Sequence, residues 1–140
     1  MNEPSLKHAD ITEKIIGVFY EVYNELGQGF LESVYQNALS LALEQAGLQV
    51  AREVALPVFF RGEMVGDFRA DLIVNGVVIV ELKSARAIES CHEAQIYNYL
   101  RSTEIEVGLV LNFGPRAQFR RMAFENSRKK FSKALGATTI

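Results

Sequence analysis

A chain of 140 residues is the size of a single domain and can bury a core without disulfide or metal staples. With 49% hydrophobic and 23% charged residues it has the balance of an ordinary globular protein, which excludes a disordered chain, and no apolar run approaches the roughly 20 residues a spanning helix needs. A formal net charge of -2 and a pI near 5.7 exclude a surface that traps polyanions as a whole, so any nucleic-acid contact must be local.

The elements follow in chain order without repeat or linker, so residues 1–140 read as one domain. The amino-terminal "MNEPSLKHAD" lacks the basic-then-apolar layout of a signal peptide, which leaves the cytoplasm as the expected compartment. In "DITEKIIGVFYEVYNELG", Ile11, Ile15, Val18, Phe19, Val22 and Leu26 recur at helical spacing, and Asp10 with Glu13 can form a capping box. A second helical segment, "FLESVYQNALSLALEQAG", closes at Gly47. The character then changes. "VALPVFF", "EMVGDFRADLIV" and "VVIVELK" are rich in Val, Phe and Ile and are separated by Arg61-Gly62 and Asn75-Gly76, both hairpin turn signals. Ser90 and Glu93 offer a further capping box for the helix "CHEAQIYNYLRS"; "EVGLVLNFG" and "QFRRMAFE" read as strands, and "NSRKKFSKALG" as a basic helix. An antiparallel meander joined through a helix to further strands is an α/β mixed sheet flanked by helices, with Val77 to Val80 in a central strand. One cysteine, Cys91, and two histidines, His8 and His92, can assemble neither an internal disulfide nor a zinc cluster.

The central strand ends in Glu81 and Lys83, two residues apart and therefore on one face. On one reading the strand has reached solvent and the two form a surface pair worth about 0–1 kcal/mol. On the other they are half of a site in which a divalent metal offsets the carboxylate, and that site needs a second acid. Asp71 in "FRADLIV" is the candidate. A two-residue Asn75-Gly76 turn would pair Val74 with Val77 and set Asp71 on the face opposite to Glu81. A three-residue loop pairing Ile73 with Val77, or a bulge, puts Asp71, Glu81 and Lys83 on one face. A shared site thus forbids the simplest hairpin.

Glu32 in "GFLESVY" opens the second helix, where a carboxylate also interacts favourably with the helix dipole. His92, Gln95 and Tyr99 form a polar stripe on the third helix, either a solvated face or support for the acids. Arg116, Arg120, Arg121, Arg128, Lys129, Lys130 and Lys133 concentrate positive charge in the last quarter of the chain, as a solvated edge or as a phosphate-binding surface. Phe113 and Phe119 are expected in the sheet core rather than stacked on bases.

The blocks "LGQGFLESVY", "RADLIVNGVVIVELKS", "HEAQIYNYLR" and "VGLVLNFG" resemble, in order and spacing, the GxxExxY family, assigned to the PD-(D/E)XK nuclease superfamily. The resemblance runs from about Ile11 to Phe124, with Gly29, Glu32 and Tyr35 as the signature; Tyr23 departs from it where histidine is more usual. It implies a restriction-endonuclease-like core. It also implies a catalytic set of Glu32, Asp71, Glu81, Lys83, Gln95 and Tyr99, with Asp71, Glu81, the Leu82 carbonyl and Glu32 holding Mg2+ or Mn2+. The implied reaction is phosphodiester hydrolysis of nucleic acid, DNA ahead of RNA. On the charge pattern Arg116, Arg120 and Arg121 are the candidates for backbone contact, and a homodimer is one way to lengthen the groove. The alternative, favoured by the low pI, is a non-catalytic interaction module that keeps the nuclease fold within a larger assembly.

Overall fold

The computed structural model describes residues 7–129. Helices α1 (Ala9–Leu26) and α2 (Glu32–Gln45) precede strands β1 (Val50–Phe60), β2 (Glu63–Val74) and β3 (Val78–Lys83); α3 (Ser90–Ser102), β4 (Val107–Phe113) and β5 (Ala117–Ala123) follow. The order is the one the hydrophobic periodicity predicts. All five strands lie in one sheet, ordered β1-β2-β3-β4-β5, and every neighbouring pair is antiparallel except β3 and β4. That parallel pair requires a long crossover, which α3 supplies.

Burial on both faces explains the unbroken aliphatic run of β3. Val78, Val80 and Leu82 pack with Ile15 and Phe19 of α1 and Leu39 and Leu43 of α2, whereas Ile79 packs with Ile96 and Leu100 of α3. Phe113 is buried edge-on to Phe19 and Phe119 lies edge-on to Tyr20, so both aromatics belong to the core side of the sheet, as expected.

Several boundaries differ from the sequence reading. Helix α1 starts two residues earlier than an Asp10 cap allows: its N-cap is His8, no side chain caps it, and Asp10 sits in the first turn. In α3 the N-cap is Glu89 rather than Ser90, and its N–H donates to His92 Nδ1 at 3.0 Å, so the capping partner is His92 and not Glu93. Strand β1 begins at Val50, four residues before the expected start, because Val50 to Arg52 already pair with Val74 to Leu72 of the long β2. The expected basic helix is a 3-10 turn over Asn126–Arg128 as far as it is described, and residues 130–140 with Lys130 and Lys133 lie outside the described residues.

Candidate active site

The β2–β3 hairpin turns on three residues, with Asn75 (φ 53°) and Gly76 (φ 71°) both left-handed. The closing pair is Val74–Val78, not Ile73–Val77, because the Val77 N–H is spent on the Val74 carbonyl inside the turn. Parity is unchanged by this two-residue difference, so Asp71, Glu81 and Lys83 share the side of Ile73 and Ile79. The ladder continues through Ile73–Ile79 to Leu72–Val80 and then stops.

At the next step Asp71 stands opposite Glu81, and side chains replace the missing backbone bonds. The Asp71 N–H donates to Glu81 Oε2 at 3.0 Å, and the Leu82 N–H donates to Asp71 Oδ2 at 2.9 Å. Beyond this point β3 pairs only with β4, Glu81 to Lys83 lying beside Val110 to Asn112, while β2 continues along β1. The two strands therefore part where the acids sit.

Burial makes both carboxylates reluctant to ionise. Glu81 is only 5% exposed, and its pKa is pushed up to about 8, first by burial and then by the charge of Asp71; the Asp71 N–H and Lys83 oppose the rise less strongly. Asp71 is also raised, chiefly by burial, against the Leu82 hydrogen bond, with Glu53 and Glu32 adding to the rise and Lys83 opposing it. Asp71 Oδ1 and Glu81 Oε1 take part in no hydrogen bond among the described residues. Two hard oxygens facing excess negative charge fit a divalent cation such as Mg2+ or Mn2+. Among the described residues no group of three or more His, Cys, Asp or Glu could hold a metal ion. With two carboxylates as donors, any ion held there would keep several waters.

Gly29 and Tyr35 shape the loop that precedes Glu32. Gly29 adopts φ 110°, and the buried Tyr35 hydroxyl donates to the Gly27 carbonyl and accepts from the Phe30 N–H at 3.3 Å, tying the α1–α2 loop to α2. Tyr35 also stacks on Phe113. Glu32 Oε2 then accepts from the Ser84 N–H at 3.3 Å and the Ser84 hydroxyl at 3.4 Å, directly after Lys83. One turn further along α2, Gln36 Nε2 donates to the Asp71 carbonyl at 3.3 Å and to Glu53 Oε2 at 2.8 Å. Helix α2 thus touches both parted strands.

Gln36 and Glu53 are absent from the sequence reading. The i, i+4 spacing from Glu32 could have found Gln36. Glu53 carries no such signal: it lies where β1 passes Asp71, has φ 52°, and falls within the stretch of β1 that the sequence assigns to no strand.

Gln95 and Tyr99 hydrogen-bond to each other at 3.1 Å, and Tyr99 stacks on Phe68 of β2; neither hydrogen-bonds to Asp71, Glu81 or Lys83. His92 serves the α3 cap. The basic cluster does not form one surface. Arg120 and Arg121 are adjacent on β5 and point to opposite faces: Arg120 Nε lies 3.4 Å from Glu93 Oε2, whereas Arg121 reaches Thr12 Oγ1 and the Lys7 carbonyl. Arg128 lies over the Phe124 ring. Lys129 is buried and donates to the Thr103 and Ile105 carbonyls at 2.8 Å each, and burial lowers its pKa to about 8. Lys129 is thus a structural cation of the interior rather than part of a phosphate-binding surface.

At the split end of the hairpin stand two acids, with a lysine two residues on and a helix acid bonded to the next residue of the chain. Residues 9–122 match the PD-(D/E)XK nuclease superfamily, and the chain belongs to it. Members of that superfamily generally use divalent metals. Among solved structures, the one described as the crystal structure of SSO0001 is similar at 19% identity, with 82% of this chain and 78% of that one covered and a TM-score of 0.46. Hjc, a Holliday junction resolvase of Archaeoglobus fulgidus, is similar at 17% identity, with 74% of this chain and 97% of that one covered and a TM-score of 0.39. No curated protein matches the chain. No helix among the described residues is long and apolar enough to cross a membrane.

Proposed function

We propose that this protein is a metal-dependent nuclease whose reacting centre is Asp71, Glu81 and Lys83. The observation that carries the reading is the crossed pair of hydrogen bonds at Asp71 and Glu81. It holds two repelling carboxylates at the mouth of a split hairpin, at a cost in desolvation that a structural pair would have no reason to bear.

In the hydrolysis, a water oxygen bonds to phosphorus as its proton leaves, the bridging P–O bond breaks, and the departing oxygen takes up a proton. Mg2+ or Mn2+, held by Asp71, Glu81 and the Leu82 carbonyl with Glu32 behind them, would supply a water of lowered pKa and neutralise charge on the phosphate. Asp71 and Glu81 each hold one oxygen fixed by a backbone N–H and present the other, so little reorganisation is needed at the moment of reaction. Lys83, two residues on and on the same side, orients the attacking water or neutralises the trigonal-bipyramidal phosphorane. Gln95 and Tyr99, hydrogen-bonded to each other, would steady the bound phosphate.

The test is calorimetric titration of Mn2+ and Mg2+ into the protein and into Asp71→Ala and Glu81→Ala, with cleavage of DNA and RNA followed in the same buffers. Metal binding and cleavage lost together in both variants support the nuclease. A native protein that binds no divalent ion and cuts neither polymer overturns it in favour of the non-catalytic module.

A further inference from the structure

Every lysine and arginine among the described residues except Lys83, Arg86 and Arg116 makes a hydrogen bond, an ion pair or a ring contact within the protein. Lys83 faces the two acids, whose pKa values it lowers. Arg86 and Arg116 are exposed and have no protein partner among the described residues. Topology puts both at the same end of the sheet. Strands β3 and β4 run parallel with Lys83 beside Asn112, so the segment after β3, which carries Arg86, and the turn after β4, which carries Arg116, leave the sheet together.

These two segments are locked to each other. Asn112, wholly buried, accepts from the Ala85 N–H through Oδ1 and donates to the Ala85 carbonyl through Nδ2, both at 2.9 Å. Gly114 approaches so closely that a Cβ there would lie 1.9 Å from the Ala85 oxygen. Two residues beyond Arg86, the Ile88 N–H donates to Gln118 Oε1 at 3.3 Å, and Tyr23 of α1 donates its hydroxyl to the Gly114 carbonyl at 2.7 Å. The backbone is therefore held on both sides of Arg86 and just before Arg116, while the two guanidinium groups themselves are left unengaged. A fixed base under an uncommitted, permanently charged fork is what recognition of a phosphate requires.

We infer that Arg86 and Arg116 form a phosphate-binding rim at the carboxyl end of β3 and β4, contacting the backbone of the nucleic acid whose scissile phosphate reaches Asp71, Glu81 and Lys83; this rests on the nuclease reading. Of the three arginines expected on the backbone the rim keeps Arg116 and adds Arg86, while Arg120 pairs with Glu93 and Arg121 bonds to Thr12 and the Lys7 carbonyl. Phosphate contacts at two points set the direction of the strand across the acids without reading sequence.

Anisotropy of a short fluorescein-labelled DNA duplex, and of the matching RNA, is measured in EDTA over a range of KCl concentrations. Arg86→Gln and Arg116→Gln are each expected to weaken binding and to flatten the plot of log K against log salt by about 0.9 for duplex DNA, one released counterion's worth. Arg86→Lys and Arg116→Lys are expected to recover most of the slope, and Lys14→Ala, a charge lost elsewhere, to leave it unchanged. Slopes unaffected by the glutamine variants, an equal change in Lys14→Ala, or no binding of either polymer by the native protein would each overturn the rim. Binding with the expected slopes but no cleavage in Mg2+ or Mn2+ leaves the rim standing and removes the nuclease. Asp71-dependent cleavage with unchanged slopes does the reverse.

Discussion

Asp71 and Glu81 each reach across the gap between their strands, Asp71 to the Leu82 N–H and Glu81 to the Asp71 N–H, at the first position where β2 and β3 no longer pair. Backbone donors that a regular ladder would have matched with carbonyls are matched here with carboxylates. The exchange fixes two acids side by side in a partly desolvated place, where the repulsion between them favours a bound proton and would equally favour a bound cation.

That preference for a proton has a sign. Glu81 carries a pKa of about 8 in the folded chain against 4.5 for an ordinary glutamate, so the native state keeps a proton that the unfolded state gives up. Its contribution to stability is complete below pH 4.5 and is lost as pH rises through about 8. At about 1.4 kcal/mol per unit, and allowing for relaxation, the metal-free protein should lose roughly 2–4 kcal/mol over that interval. Urea unfolding in EDTA should show the midpoint falling with pH, and Glu81→Gln, neutral at every pH, should flatten most of the trend.

A divalent cation should reverse the loss. Near pH 8 Mn2+ at about 100 times its dissociation constant adds about 2.7 kcal/mol by mass action. The gain should shrink as pH falls, since the ion must displace the Glu81 proton. Titration in two buffers of different ionisation enthalpy counts the protons released. A nearly whole proton is expected at a pH below the Glu81 value, and Glu81→Gln should release far fewer.

Much of this arrangement was legible in the chain. The charged end of the aliphatic run "VVIVELK" marked Glu81 and Lys83, and the demand that Asp71 share their face excluded the two-residue turn that Asn75-Gly76 first suggests. The hairpin has three residues in its turn. The exact pair it closes was not legible, because Val74–Val78 and Ile73–Val77 give identical face assignments and differ only in where the Val77 N–H goes. Glu53 escaped because its placement depends on a left-handed backbone inside a strand, and residue identity predicts that conformation only at Gly, Asn or Asp. The arrangement of the basic residues was not legible for another reason. Charge density along a sequence says nothing of face, and β5 sends Arg120 and Arg121 to opposite sides.

Tyr35→Phe separates the architectural part of the signature from the chemical part. The ring and its stacking on Phe113 are kept, while the hydroxyl that joins Gly27 and Phe30 is lost. A loss of about 1–2 kcal/mol of stability is expected from hydrogen bonds left unmade. Metal affinity should fall only modestly, because Glu32 still reaches Ser84 from the first turn of α2. Glu32→Gln should behave in the opposite way, keeping an acceptor for Ser84 and nearly native stability while weakening metal binding through the lost charge. Paired urea melts and calorimetric titrations of the two variants check the crossover.

Gly114→Ala tests whether the lock between the two carboxyl-end segments serves the site. The added methyl would meet the Ala85 oxygen at 1.9 Å and Asn112 Nδ2 at 3.0 Å, so the chain beyond Lys83 must move or the Asn112–Ala85 pair must open. Overpacking of this kind costs about 1–3 kcal/mol, seen as a lower urea midpoint with an unchanged slope. Asp71 and Glu81 are fixed by bonds that do not involve this turn, so metal binding should survive. Phosphate contacts should not, since Arg86 and Arg116 stand on the two segments pushed apart. The variant is therefore expected to bind Mn2+ nearly as the native protein does while losing salt-sensitive affinity for the labelled duplex. Metal binding lost in step with duplex binding would show that the acids depend on this turn after all.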